Sequence, residues 1–277
     1  MFADLHIHSW YSDGTLSPEE IVKKAKAQNI TLISVCDHEM IDAYLNHGDF
    51  FADEDIKVIT GVEIIALMDD AEYHILAYGF NTQDKPLNDL LRHNRGILAD
   101  KGNKLIEKIS ADYTSISMEE FSRYERNRKN GGWDSIDYLK NKGIISNVSE
   151  YLDLARKRAV PLDKDFLHAA EVIKIIHDAG GYAVLAHIGD YVKNAAECEK
   201  VAVQFLDMSI DGFECYYPYH NMELTEFLVK FCRERDLIIT AGSDEHGEFS
   251  DLNSRGLYIG AVKVKIEQLN LKNLIKT

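Results

Sequence analysis

Two histidines separated by one residue, His6-Ile7-His8, close an apolar run near the start of the chain. In an extended strand that spacing puts both imidazoles on one face. Asp13 follows in a loop ahead of Gly14. Asp37-His38, Glu63, His74, His187 and the run Gly242-Ser243-Asp244-Glu245-His246 each stand at or beside the end of another apolar run. Taken singly these residues are ordinary: a His-X-His pair is often incidental, and Asp before Gly is a common turn. As a set they are not, because buried carboxylates and clustered imidazoles are costly unless a metal or a partner satisfies them.

Mixed histidine and carboxylate ligation without thiolate suits Mn, Fe or Zn. More ligand-type side chains are present than one tetrahedral ion can use, so two or three divalent metal ions are implied. A bridging carboxylate would hold them together, and Glu63 is the candidate. Such a cluster activates water and neutralises charge on a phosphoryl group.

The elements that must position these residues follow from hydropathy. Apolar runs at 2–8, 31–36, 56–62, 73–80, 182–186, 212–217 and 237–241 read as buried strands, mostly parallel. Between them, Ser17-Pro18-Glu19-Glu20 is a capping-box start for a helix reaching about 28, and 171–179 is a helix stopped by Gly180-Gly181. A further helix spans 222–235. This alternation predicts an α/β fold with a parallel sheet or barrel, whose chemistry gathers at the C-terminal ends of the strands. The interval from Glu63 to His74 is too short for a crossover helix. It predicts a hairpin with its turn at 66–71, residue 65 opposite 72 and Glu63 opposite His74, both on one face. A slip of one residue would undo that facing. From 83 to 167 no strand is evident, and helices are expected at 86–109, 135–142 and 149–158. This segment reads as a helical insertion, a lid domain over the mouth of a barrel domain made of 1–82 and 168–277.

The 277 residues are 45% apolar and carry a formal net charge of -15. That balance argues against general binding of duplex nucleic acid, which needs clustered cations, but admits a small phosphorylated metabolite or nucleotide. No signal-peptide pattern or membrane-length apolar run is visible. The cysteines, Cys36, Cys198, Cys215 and Cys232, form no CxxC pair, and the expectation is reduced thiols in a cytoplasmic protein.

The segments Asp4-Leu5-His6-Ile7-His8-Ser9 with Ser12-Asp13-Gly14, Asp37-His38, Gly61-Val62-Glu63-Ile64, His74-Ile75-Leu76, Ala186-His187 and Gly242-Ser243-Asp244-Glu245-His246-Gly247 resemble, in order, the motifs of the polymerase and histidinol phosphatase (PHP) superfamily. Within it the chain is most similar to the nucleoside 3',5'-bisphosphate phosphatase branch (TrpH-like, RNase AM). The resemblance implies a distorted seven-stranded β/α barrel and a trinuclear metal site. By position, His6, His8, Glu63 and Asp244 would hold the first metal, and Asp13, His38 and His246 the second. Glu63, His74 and His187 would hold the third. The implied activity is hydrolysis of a small phosphate monoester, with a hydroxide between the metals attacking phosphorus in line and Asp37 or His220 assisting the leaving group. The rival readings are a histidinol-phosphate-type phosphatase and a metal-binding regulatory module without turnover.

The chain departs from that branch where relatives commonly supply arginine. It has Ile188-Gly189-Asp190 after His187 where they have Pro-Gly-Arg, and Trp133-Asp134 where they have a Thr-Arg or Arg-Pro pair. It also has Glu245 where they often have Phe. Substitute cations would come from Arg92, Arg95, Arg123, Arg126, Arg128 and Lys129, with Arg95, Arg123 and Arg126 as the expected substrate contacts. Tyr216, Tyr217, Tyr219 and His220 are candidates to line the pocket, Tyr216 as a substrate contact.

Overall fold

The computed structural model describes residues 1–48, 51, 55–160, 165–249 and 257–274, so parts of the expected 83–167 and 168–277 segments lie outside it. The strands are β1 (Phe2–Ile7), β2 (Ile30–Val35), β3 (Lys57–Val58), β4 (Gly61–Met68), β5 (Ala71–Tyr78), β6 (Tyr182–Leu185), β7 (Gly212–Tyr216), β8 (Ile238–Ala241) and β9 (Val264–Lys265). They form a four-stranded sheet in the order β3-β2-β1-β9 and a five-stranded sheet in the order β4-β5-β6-β7-β8. β1 and β2 are parallel, as are β6, β7 and β8. β5 runs antiparallel to both β4 and β6, because a hairpin rather than a crossover helix precedes it. Single bridges link the sheets where the ligand-type residues fall, His38 to Glu63 on one side and Ile7 to Glu245 on the other.

Two sequence expectations need correction. The run 56–62 is not one strand. It divides into β3 and β4, which belong to different sheets. The chain crosses over β2 at Gly61, where a Cβ atom would stand 2.2 Å from Ser34 Oγ and 2.6 Å from Cys36 Sγ. The hairpin also has a shorter turn than expected. Asp69 and Asp70, at φ 51° and 62°, make a two-residue left-handed turn, so Met68 already pairs with Ala71. Glu63 therefore faces Leu76, and His74 faces Ile65. That register differs from the expected one by two residues. An even shift preserves the face, so Glu63 and His74 still meet, diagonally across the ladder.

Helix α1 (Pro18–Ala27) joins β1 to β2. Its Ser17 hydroxyl accepts from the Glu20 N–H while the Glu20 carboxylate accepts from the Ser17 N–H, as the capping-box pattern requires. A short helix, α2 (Asp42–Asn46), follows β2. The helices α3 (Lys85–Ser110), α4 (Met118–Phe121), α5 (Asp134–Asn141) and α6 (Val148–Lys157) fill the interval between β5 and α7 (Ala169–Asp178). They share an apolar core of their own around Leu105, Ile109, Ile136, Tyr138 and Leu139. Helices α8 (Ala195–Asp207) and α9 (Met222–Glu234) flank β7. α8 was not anticipated, although Asn194 caps it by accepting from the Glu197 N–H. No described helix is long and apolar enough to cross a membrane.

Candidate metal centre

The C-terminal ends of β1, β2, β6 and β8 deliver their polar residues to one place, joined by Glu63 from the start of β4, not the strand end expected, and by His74 from within β5. Glu63, fully buried, lies at its middle. Its Oε2 is 3.2 Å from His6 Nε2, His8 Nε2 and His38 Nδ1. Its Oε1 is 2.9 Å from both His74 Nδ1 and His187 Nε2. The Asp244 Oδ1 atom lies 3.5 Å from His6 Nε2 and 3.2 Å from His8 Nε2, and the two Nε2 atoms are 3.1 Å apart. Ligands about 2.05 Å from a tetrahedral ion stand about 3.3 Å from one another, so His6, His8, Glu63 and Asp244 have the mutual spacing of a tetrahedral ligand set. A second group surrounds Asp13: His246 Nε2 lies 3.3 Å from Oδ2, His38 Nε2 3.8 Å from Oδ2, and His8 Nδ1 3.4 Å from Oδ1. His38, Glu63 and His74 form a third. All nine residues named from the sequence thus converge. His8 and His38 each take part in two groups, and His187 joins through Glu63.

Protein contacts alone do not satisfy this cluster. His8 Nδ1, Asp13 Oδ1, His38 Nδ1, Glu63 Oε2 and His187 Nδ1 are buried without a hydrogen-bond partner. Burial opposes ionisation of Glu63, yet His38, His6 and His74 outweigh it and hold its carboxyl well below the usual range. Burial pushes His38 down to about 3. For His187 burial works the same way, but the hydrogen bond and charge of Glu63 overcome it and raise the imidazole to about 9. Adjacent imidazoles are driven in opposite directions, a conflict that cations would remove by leaving every imidazole neutral and every carboxylate ionised. The donor set and the orphaned atoms therefore fit divalent metals.

The surrounding residues fix tautomers and strain. Glu214, fully buried in β7, takes His6 Nδ1 at 3.1 Å and accepts from the His187 N–H at 2.8 Å. This aims His6 Nε2 into the cluster. His246 Nδ1 lies 2.8 Å from the Asp244 carbonyl, which leaves its Nε2 toward Asp13. Gly242 has no room for a side chain, because a Cβ would lie 2.2 Å from His6 Cβ and 2.3 Å from Glu214 Oε1. His187 and Asp244 hold left-handed backbone at φ 24° and 55°, strain of about 1–3 kcal/mol each, which is typical of functional sites.

Several residues expected to contact substrate have other partners. Asp37 accepts from the Ser9 N–H (2.8 Å), the Ser9 hydroxyl (2.6 Å) and the Ser12 hydroxyl (2.6 Å), so it organises the loop leading to Asp13. His220 Nε2 accepts from the Gly189 N–H at 3.0 Å and Nδ1 donates to the Cys215 carbonyl at 3.1 Å. Both ring nitrogens are engaged, which leaves no proton to offer a leaving group. Tyr216 packs against the main apolar core. The alternation of the strand instead turns Tyr217 to the cluster, its hydroxyl 3.3 Å from Asp190 Oδ2 and 3.4 Å from Asp244 Oδ2. Arg123 lies on the surface and pairs with Glu119 at 3.0 Å. Arg126 is buried against backbone carbonyls. Arg95 is 3.5 Å from Asp42 and, with Arg126, lines a cavity that Tyr11 and Met40 share with the helices following β5 and that touches none of the nine residues.

Sequence reasoning missed Glu214 and Glu39. A single acid inside the apolar run of β7 was the available signal for Glu214. Glu39 Oε1 accepts from the Ile65 N–H at 2.6 Å and the Asn94 side chain at 3.1 Å, and burial pushes its carboxyl up to about 8. Also missed was a cavity of about 380 Å3 beside the cluster. Asp13, His38 and His74 line one side of it, with Leu98, Trp133 and Tyr151 from the segment between β5 and α7 on another. Lys101 lines it too, its Nζ 3.0 Å from Glu72 Oε1.

Two linked sheets flanked by helices, with histidines and carboxylates gathered at strand ends, define an α/β metal-binding protein. The chain belongs to the PHP domain family, whose profile it matches over residues 4–217. It is 29% identical over 250 residues to a 5'-3' exoribonuclease of Haemophilus influenzae, covering 88% of this chain and 89% of that protein. It is 23% identical over 248 residues to a 3',5'-nucleoside bisphosphate phosphatase of Chromobacterium violaceum, covering 88% and 86%. Its fold is similar to that of a Bifidobacterium adolescentis protein described as a metal-dependent phosphoesterase, with a TM-score of 0.75, 23% identity and coverage of 96% and 97%.

Proposed function

We propose that this protein is a metal-dependent phosphoesterase that hydrolyses small phosphate monoesters. The observation that carries the reading is the convergence of five imidazoles on the two oxygens of one buried carboxylate, Glu63. Family membership and the phosphatase and exoribonuclease relatives support it. His6, His8, Glu63 and Asp244 hold one ion. Asp13, His38 and His246 would hold a second, and Glu63, His74 and His187 a third, giving a site for two or three of Mn, Fe or Zn. Bound there, such ions supply positive charge for phosphoryl oxygens and lower the pKa of water.

The chain's own residues prepare that chemistry. Glu214 keeps the proton of His6 on Nδ1, so that Nε2 presents its lone pair. Asp37 holds the Ser9 and Ser12 hydroxyls and with them the loop of Asp13. The 380 Å3 cavity receives the body of the ester between the cluster and Trp133. We read β1, β2 and β4 to β8 as a distorted seven-stranded barrel, a reading supported by the two bridges that link the sheets. The helices of 83–167 are its lid.

A single phosphate is the preferred charge. Asp190 stands 3.7 Å from His187 Nδ1, where a second phosphate would meet like charge. The test is a panel of phosphate esters assayed with added manganese, together with elemental analysis of the purified protein. We expect two or three ions per chain, turnover abolished by chelation and restored by metal, and higher catalytic efficiency on monophosphates than on nucleoside 3',5'-bisphosphates. Bound metal with no turnover on any ester would favour the regulatory-module reading, and a clear bisphosphate preference would refute the charge argument.

A further inference from the structure

Four consecutive backbone carbonyls of the loop carrying Asp13 receive hydrogen bonds from the insertion. Arg126 Nη2 donates to the carbonyls of Trp10 (3.1 Å), Tyr11 (3.1 Å) and Ser12 (2.5 Å). The Gly132 N–H donates to the carbonyl of Asp13 at 2.8 Å. Arg126 Nη1 ties these contacts together by donating to the Gly132 carbonyl at 2.5 Å, and its Nε lies 3.4 Å from Asp134 Oδ1. The opposite side of the loop is held by Asp37 through Ser9 and Ser12. The segment from Ser9 to Asp13 is thus gripped between a carboxylate after β2 and a guanidinium from the insertion.

The chemistry selects arginine. The three loop carbonyls crowd one terminal nitrogen, Nη2, while Nη1 and Nε of the same planar fork reach the Gly132 carbonyl and Asp134, so a single guanidinium ties the loop to the segment around Gly132. A lysine ammonium offers a compact point charge on a flexible stem, and fills that geometry poorly. The Arg126 side chain is 11% exposed; it borders the cavity that Arg95 also lines, while its donors are spent on backbone carbonyls.

We propose that Arg126 is a positioning residue for the metal centre, fixing from the insertion side the loop that sets Asp13 against His38 and His246. The inference rests on the reading of Asp13 as a ligand. It makes the insertion part of the scaffold of the site as well as its cover. Loss of Arg126 frees the loop and selectively weakens the ion that Asp13 holds, while the group around Glu63 keeps its supports from the sheets.

The test uses Arg126→Ala, Arg126→Lys and, as a packing control, Arg128→Ala in the full chain, since Arg128 lies 4.8 Å from the Tyr11 ring on the same loop. Manganese binding is titrated by electron paramagnetic resonance without substrate, and amide hydrogen exchange is followed over residues 9–14. We expect Arg126→Ala to weaken one class of manganese by about 10–100-fold, the range for residues that orient ligands, and to leave another class near wild type. The Gly14 N–H, bonded to the Ser9 carbonyl at 3.0 Å, should exchange at least about tenfold faster, because its protection rests on the loop staying closed. Added guanidinium should reverse both effects, Arg126→Lys should rescue neither, and Arg128→Ala should resemble wild type. Wild-type exchange in Arg126→Ala, or equal weakening of every manganese class, would overturn the proposal. The exchange measurement needs no metal. A wild-type protein that binds no manganese therefore refutes the metal-site reading, while exchange still decides whether Arg126 holds the loop.

Discussion

Charged side chains behave in opposite ways in the strand-end cluster and in the helical insertion. Around Glu63 they are buried and face one another at 2.9–3.2 Å. Between β5 and α7 several lie in solvent and pair with near neighbours in sequence, as Lys85 does with Asp89, Arg123 with Glu119 and Arg156 with Asp153, although Asp137 is buried and Lys101 reaches Glu72 of β5. Pairs of that kind contribute only about 0–1 kcal/mol. The cluster, by contrast, carries a large desolvation cost that metals or exact partners must offset. Arg126 departs from that tendency, because its guanidinium is largely enclosed against the carbonyls of the loop that carries Asp13. The comparison separates charge that builds a site from charge that solvates a surface, and burial is what distinguishes them.

The comparison can be broken most sharply at Glu63. Glu63→Gln keeps the shape but removes one charge from the carboxylate that touches five imidazoles. Turnover should fall by well over about 100-fold, more than an outer partner costs, with circular dichroism unchanged and bound metal reduced. A variant with full metal content and a near-normal rate would show that Glu63 bridges nothing. Glu214→Gln sharpens the picture one layer out. It leaves an acceptor for His6 but lowers the basicity of that imidazole, so metal affinity or turnover should drop about 10–100-fold. An unchanged variant would demote Glu214 to simple packing. At the small end stands Arg123→Ala. Its side chain is 77% exposed, and the substitution should change stability by less than about 0.5 kcal/mol and leave catalytic efficiency unaltered. A rise in KM would return Arg123 to the substrate site and undo the division between the two regions.

The two-sheet region was the more legible of the two. Most ligand-type residues stood at or beside the end of an apolar run, and strand pleating then carried His6 and His8 to one face. The even register error at the hairpin did no harm for the same reason. The insertion was legible as helices, since α3, α5 and α6 fall within a residue or two of 86–109, 135–142 and 149–158. What its side chains touch was not legible. Arg95, Arg123 and Arg126 looked equivalent in sequence, yet Arg123 faces solvent, Arg95 and Arg126 border one cavity, and only Arg126 of the three grips a loop more than a hundred residues away.

The division has a physical origin. Metal ligation demands particular side chains, and β-structure places His6 and His8 on one face by a local rule with a period of two; the full set of nine candidates came with the resemblance of the motifs, in order, to the family. Tertiary structure alone decided which of them share an oxygen of Glu63, which acid orients His6 and which tyrosine after β7 faces the cluster. It also decided the role of Arg126, whose partners are the carbonyls of Trp10, Tyr11 and Ser12. Every residue carries a carbonyl, so nothing in the amino-acid sequence marks those as the ones an arginine will find.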